Sequence, residues 1–87
     1  MRVSKDLILR EVAGEYILIP VGKAALEIHG MINLSESAVL LWKKLQEDCT
    51  EEELVQALLM EYDIDSETAA ADVRELIEQM QKIGVIE

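Results

Sequence analysis

Apolar residues recur at two different periods along this chain, and the change of period divides it. Up to about residue 34 they alternate with polar residues or cluster in short runs. From residue 35 onward they return every three or four positions. Leu7-Ile8-Leu9-Arg10-Glu11-Val12 predicts a first strand, Ala13-Gly14-Glu15 a tight turn that Gly14 can enter at positive φ, and Tyr16-Ile17-Leu18-Ile19 a second strand. Pro20 removes a ladder donor and ends it. After a turn at Val21-Gly22-Lys23-Ala24, period-two alternation from Leu26 to Leu34 predicts a third strand. Leu26, Ile28, Ile32 and Leu34 lie on one face, with Gly30 in register; Glu27, His29, Met31 and Asn33 lie on the other. The short turns make the three strands an antiparallel meander.

The helical part announces itself through its caps. Ser35 reads as an N-cap, with Leu34 and Val39 spaced as a hydrophobic staple, and Ala38, Leu41, Trp42 and Leu45 carry a first helix to about Glu47. Thr50-Glu51-Glu52-Glu53 has the form of a capping box, and Leu54, Val55, Leu58, Leu59 and Tyr62 form the stripe of a second helix. Asp65 or Ser66 caps a third helix, from about Glu67 to Ile83. Its stripe is Ala69, Val73, Leu76, Ile77, Met80 and Ile83, and Gly84 stands at the position that stops it. The order β-β-β-α-α-α predicts an α+β fold: a three-stranded antiparallel sheet covered by three helices, like a winged helix-turn-helix domain whose strands come first.

Charge and composition narrow the function. The 87 residues carry 18 acids against 8 bases, a net charge of −10, with the bases dispersed. Nucleic acids and anionic membranes both need a basic patch, so neither is an expected partner. No apolar run approaches a membrane span, and no signal-peptide pattern is present, so a cytoplasmic location is expected. Length predicts one domain over residues 1–87.

Catalytic chemistry finds no constellation. His29 is the one histidine and has no Cys or Asp at ligand spacing; it reads as a surface or groove histidine. Ser35 and Ser37 suit capping. Cys49 sits among acids, which hold a thiol protonated. The acids from Glu47 to Glu53 lack the alternating ligands and central Gly of a calcium loop, and the four glycines are isolated rather than gathered into a phosphate loop. No metal and no cofactor are expected, and no enzymatic activity. What remains is a sheet edge. Between Lys23 and Glu36 the third strand carries Glu27 as its one charged residue, beside Leu26, Ile28, Met31 and Ile32. Such an edge is covered by the chain's own N-terminal residues or by a second copy, or else receives a guest strand.

The run from Leu9-Arg10-Glu11-Val12 through Ile19-Pro20-Val21-Gly22, the segment Asn33-Leu34-Ser35-Glu36-Ser37-Ala38-Val39-Leu40-Leu41-Trp42 with Leu45, and the ending Ala71-Asp72-Val73, Leu76, Met80, Gly84-Val85-Ile86 together resemble the family of pyrroloquinoline quinone synthesis protein D. The resemblance spans nearly the whole chain. It implies a non-catalytic recognition element for ribosomally made, post-translationally modified peptides. Such a domain binds the leader segment of a precursor peptide as an added strand and presents it to a modifying enzyme, often a radical S-adenosylmethionine enzyme. Carried onto this chain, it implies a peptide-binding edge of Leu26, Glu27, Ile28, His29, Gly30, Met31 and Ile32. The groove wall it implies on the third helix is Val73, Arg74, Ile77, Met80 and Gln81. The chain would be a monomer or weak homodimer. Two alternatives come from other classes: a dimerisation domain, and a winged-helix DNA-binding regulator. Against the second, the third helix offers Arg74 and Lys82 beside Asp72, Glu75 and Glu78.

Overall fold

A computed structural model describes residues 1–28 and 30–86. It contains a three-stranded antiparallel sheet followed by helices. Strand β1 (Leu7–Val12) pairs antiparallel with β2 (Glu15–Pro20), from Leu7 opposite Pro20 to Val12 opposite Glu15. The two-residue loop between them has Ala13 at φ 51° and Gly14 at φ 81°. Positive φ at both positions is the geometry of a type I′ hairpin, whose twist matches that of its strands. Strand β3 (Ile32–Leu34) pairs antiparallel with β2, Tyr16 opposite Leu34 and Leu18 opposite Ile32, so the order is β1-β2-β3 and β3 is an edge.

The expected third strand is much shorter than its alternation suggested. Residues 22–27 form a short helix, α1 (Gly22–Glu27), and the strand begins at Ile32. Ala24, Ala25, Leu26 and Glu27 are strong helix formers, and one helical turn lets Ala24 bury while Leu26 points outward. Leu26, Glu27 and Ile28 therefore do not belong to the strand: the first two are helical, and Ile28 is the C-cap, its N–H donating to the Ala24 carbonyl at 2.8 Å. His29 lies outside the described residues.

The three long helices stand where their caps placed them. In α2 (Glu36–Lys44), Ser35 Oγ accepts from the Ala38 N–H at 3.2 Å. In α3 (Glu51–Glu61) the capping box is complete: Thr50 Oγ1 accepts from the Glu53 N–H at 3.1 Å, and Glu53 Oε1 accepts from the Thr50 N–H at 2.9 Å. In α4 (Ser66–Lys82), Asp65 Oδ1 accepts from the Thr68 N–H at 2.7 Å. Gly84, at φ 79°, ends α4 in a Schellman motif, with Gly84 N–H donating to Gln81 and Val85 N–H to Met80.

One hydrophobic cluster joins sheet and helices. Leu18 and Leu34 from the sheet meet Leu41, Trp42, Leu45, Leu54, Leu58, Val73, Leu76, Ile77 and Met80 from the helices. Among the described residues no polar or charged residue is buried, so no uncompensated charge weakens this core. The N-terminal residues strap the end of α2 to the segment after α4. Val3 bridges Ile86, donates its N–H to Leu45 and is itself buried, while Ser4 donates to Val85. They therefore do not cover β3.

Candidate functional site

The outer edge of β3 opens onto a groove. Its β-side wall is Asn33 and Leu34, its end is Ser35, Ser37, Ala38 and Leu41 at the start of α2, and its helical wall is Asp72, Glu75, Leu76 and Gln79 of α4. The groove holds about 270 Å³. That lies at or below the small end of small-molecule pockets, and suits one or two side chains of an extended peptide better than a cofactor. A second recess shares Asn33, Leu34 and Ser35 and carries the depression on toward the hairpin at Gly14, Glu15 and Tyr16.

The groove arises from local sequence. The residues of β3 alternate: Leu34 turns into the core opposite Tyr16, while Asn33, opposite Ile17, is exposed. Ser35 leaves the strand to cap α2, which fixes the angle at which the helix departs and holds Ala38 and Leu41 behind the edge. On α4, Leu76 is at once part of the core and part of the groove floor. Asp72, Glu75 and Gln79 succeed one another at i, i+3 and i+7 on the flank beside it. Leu34, Leu41 and Leu76 give an apolar floor, and the rim is polar and acidic, with no basic residue among the described residues that line it.

The sequence-predicted helical wall proves to be the core stripe itself. Val73, Ile77 and Met80 are buried in the core, and the helical residues that line the groove are Asp72, Glu75, Leu76 and Gln79 instead. Arg74 faces α3, where its guanidinium lies 3.7 Å from the Glu51 carboxylate. Gln81 is exposed on a shallower surface with Glu75, Glu78, Gln79 and Lys82. The groove instead uses the flank one residue earlier on the wheel. The spacing held the signal: Val73, Leu76, Ile77 and Met80 already fill the stripe at i, i+3, i+4 and i+7, so a groove wall must come from its neighbours. Of the expected edge, Met31 (65% exposed) and Ile32 (half-buried) remain at the strand, and Gly30 turns before it at φ 93°. Leu26, at 81% exposed, stands on α1 with its side chain in solvent. Asn33, Ser35, Ser37, Asp72, Glu75 and Gln79 were not anticipated as site residues.

Burial, and then the Glu53 carboxylate, raise the Cys49 thiol above its ordinary pKa, which keeps it protonated and a poor nucleophile. Among the described residues no three His, Cys, Asp or Glu side chains are placed to hold a metal, and no helix is long and apolar enough to cross a membrane.

The family model of coenzyme PQQ synthesis protein D matches residues 8–86. No functionally curated protein matches the chain closely enough to be informative. Two solved structures share its fold. One is TbiB1 in complex with the TbiA(beta) leader peptide, at TM-score 0.75 and 22% identity, over 100% of this chain and 95% of that one. The other is a lasso peptide synthetase B1 complexed with a leader peptide, at TM-score 0.72 and 18% identity, over 97% of this chain and 93% of that one.

Proposed function

This chain belongs to the coenzyme PQQ synthesis protein D family, and from that premise we propose that it is a peptide-recognition module that holds the leader segment of a ribosomally made precursor peptide. The guest adds as a strand to the outer edge of β3 and of Met31 just before it, and its inward side chains enter the groove against α4. Strand addition satisfies the edge's backbone groups, and the groove supplies side-chain selectivity. The observation that carries the reading is the open edge itself. It is flanked by an apolar-floored groove and left uncovered by the N-terminal strap, in a fold shared with two solved structures that were each determined with a leader peptide.

The module contributes recognition and no chemical step. Bond making belongs to a peptide-modifying enzyme, for which a radical S-adenosylmethionine enzyme is the leading class, and the module presents the held peptide to it. Leu26 on α1 and Met31 just before β3 are both strongly exposed apolar side chains.

The test is a titration of the isotope-labelled full chain with leader segments of candidate short precursor peptides, with an unrelated acidic peptide as control. The reading expects one peptide per chain, with amide shifts concentrated at Met31–Leu34 and at Leu76 and Gln79. Shifts confined to other surfaces, or no binding at all, contradict it.

A further inference from the structure

The groove also carries information about which peptides it accepts. We infer, resting on the peptide-binding reading above, that the guest segment is a cationic amphipathic strand. It places an aliphatic side chain on the Leu34/Leu41/Leu76 floor and, two residues away, a Lys or Arg against Asp72 and Glu75.

The edge and the floor make the groove, and the two carboxylates set the character of its occupant. Asp72 is half-exposed and Glu75 exposed, and both lie on the α4 wall. Among the described residues neither has an ion-pair or hydrogen-bond partner, whereas Arg74 between them is turned away to Glu51. The base nearest in sequence is thus committed elsewhere, and the acids face the groove without compensation. An acidic guest residue there meets like charge and a desolvation cost, while a basic one meets two carboxylates that it can bridge.

Spacing supports the pairing. Asp72 and Glu75 are separated by about 4.5 Å of helix rise, and Glu75 and Gln79 by about 6 Å. A strand advances about 6.7 Å between residues on the same face. One groove-facing residue therefore lies opposite the two acids and the next over Leu76 or Gln79. The net charge of −10 adds a long-range attraction for the same guest, one that salt screens.

The experiment is a selection from a random decapeptide library displayed on phage, run on the full wild-type chain and on the Asp72→Asn/Glu75→Gln double variant. Both substitutions are isosteric and on the surface, and an unchanged thermal melt checks the fold. Expected from the wild type are peptides with an aliphatic residue two positions from Lys or Arg. Resynthesised with Gln at the basic position, these should bind about tenfold more weakly at low salt. The loss should disappear at high salt and on the double variant, which should itself select aliphatic residues without the basic one. Peptides that shift β3 amides yet show no basic preference overturn this inference and leave the peptide-binding reading standing. A selection that yields no peptide on β3 overturns both.

Discussion

Individual residues show where this small domain is strained and where it is held. Ala13 occupies the left-handed region at φ 51°, a conformation that costs an L-residue with a Cβ about 1–2 kcal/mol and that Gly or Asn tolerates. Ala13→Gly or Ala13→Asn should therefore stabilise the chain by about 1 kcal/mol. In a domain of this size that raises the melting temperature by about 4–8 °C, measurable by calorimetry. Trp42 is the opposite case. Only 8% exposed, it fills the junction of sheet and helices, and Trp42→Ala should cost about 3–5 kcal/mol and unfold much of the population. Its Nε1 is buried without a hydrogen-bond partner, so Trp42→Phe gives up volume but no hydrogen bond and should cost clearly less in chemical denaturation. Asp65 ties stability to pH. Accepting the Thr68 N–H holds its carboxyl below the ordinary aspartate pKa in the folded state. A group depressed on folding contributes fully above its unfolded pKa, near 3.9, and loses that contribution as pH falls through the folded value. Asp65→Asn should flatten the acid limb of a melting-temperature profile below about pH 4 and leave its slope at neutral pH unchanged.

At the scale of elements, sequence was a good guide where several signals agreed and a poor one where a single signal stood alone. Ser35, Thr50 and the pair Asp65 or Ser66 each announced a helix start, and a periodic stripe followed each of them; the helices lie there, with Asp65 as the cap of the last. Thr50→Ala removes half of a working capping box and should cost about 1 kcal/mol, with the loss seen first as faster amide exchange in the opening turn of α3. The segment from Leu26 to Leu34 had alternation alone. Period two over a few residues is easily matched by chance, and the Ala-Ala-Leu-Glu run favoured α1 instead. The groove was half legible for a related reason. An edge could be read from strand order, but the wall on α4 depends on how far that helix is rotated against the sheet. Periodicity identifies the stripe that packs inward, Val73 to Met80, and leaves open which flank meets β3. Asp72, Glu75 and Gln79 became visible only once Leu76 was seen to serve both core and groove floor.

For the molecule as a whole, the sheet edge and the strap divide the labour. The strap from Met1 to Ser4 joins the α2–α3 connection to the chain's last residues, its terminal ammonium paired with Asp48, and β3 is left at the opposite boundary of the sheet. The net charge of −10 opposes self-association across that edge. Sedimentation at low salt should therefore report a single chain of 9.8 kDa that gains one peptide on titration and does not pass through a dimer. The proposed guest peptide suits this arrangement better than a second copy, because it can bring a net positive charge where a second copy brings −10.

Hydrogen exchange along β3, with and without the precursor's leader segment, tests that occupancy most directly. The account predicts that outward-facing amides between Met31 and Leu34, quick to exchange in the free chain, slow markedly when the peptide is bound, while α3 and the β1–β2 ladder stay as they were. Saturating peptide that leaves those amides exchanging at their original rate would contradict it.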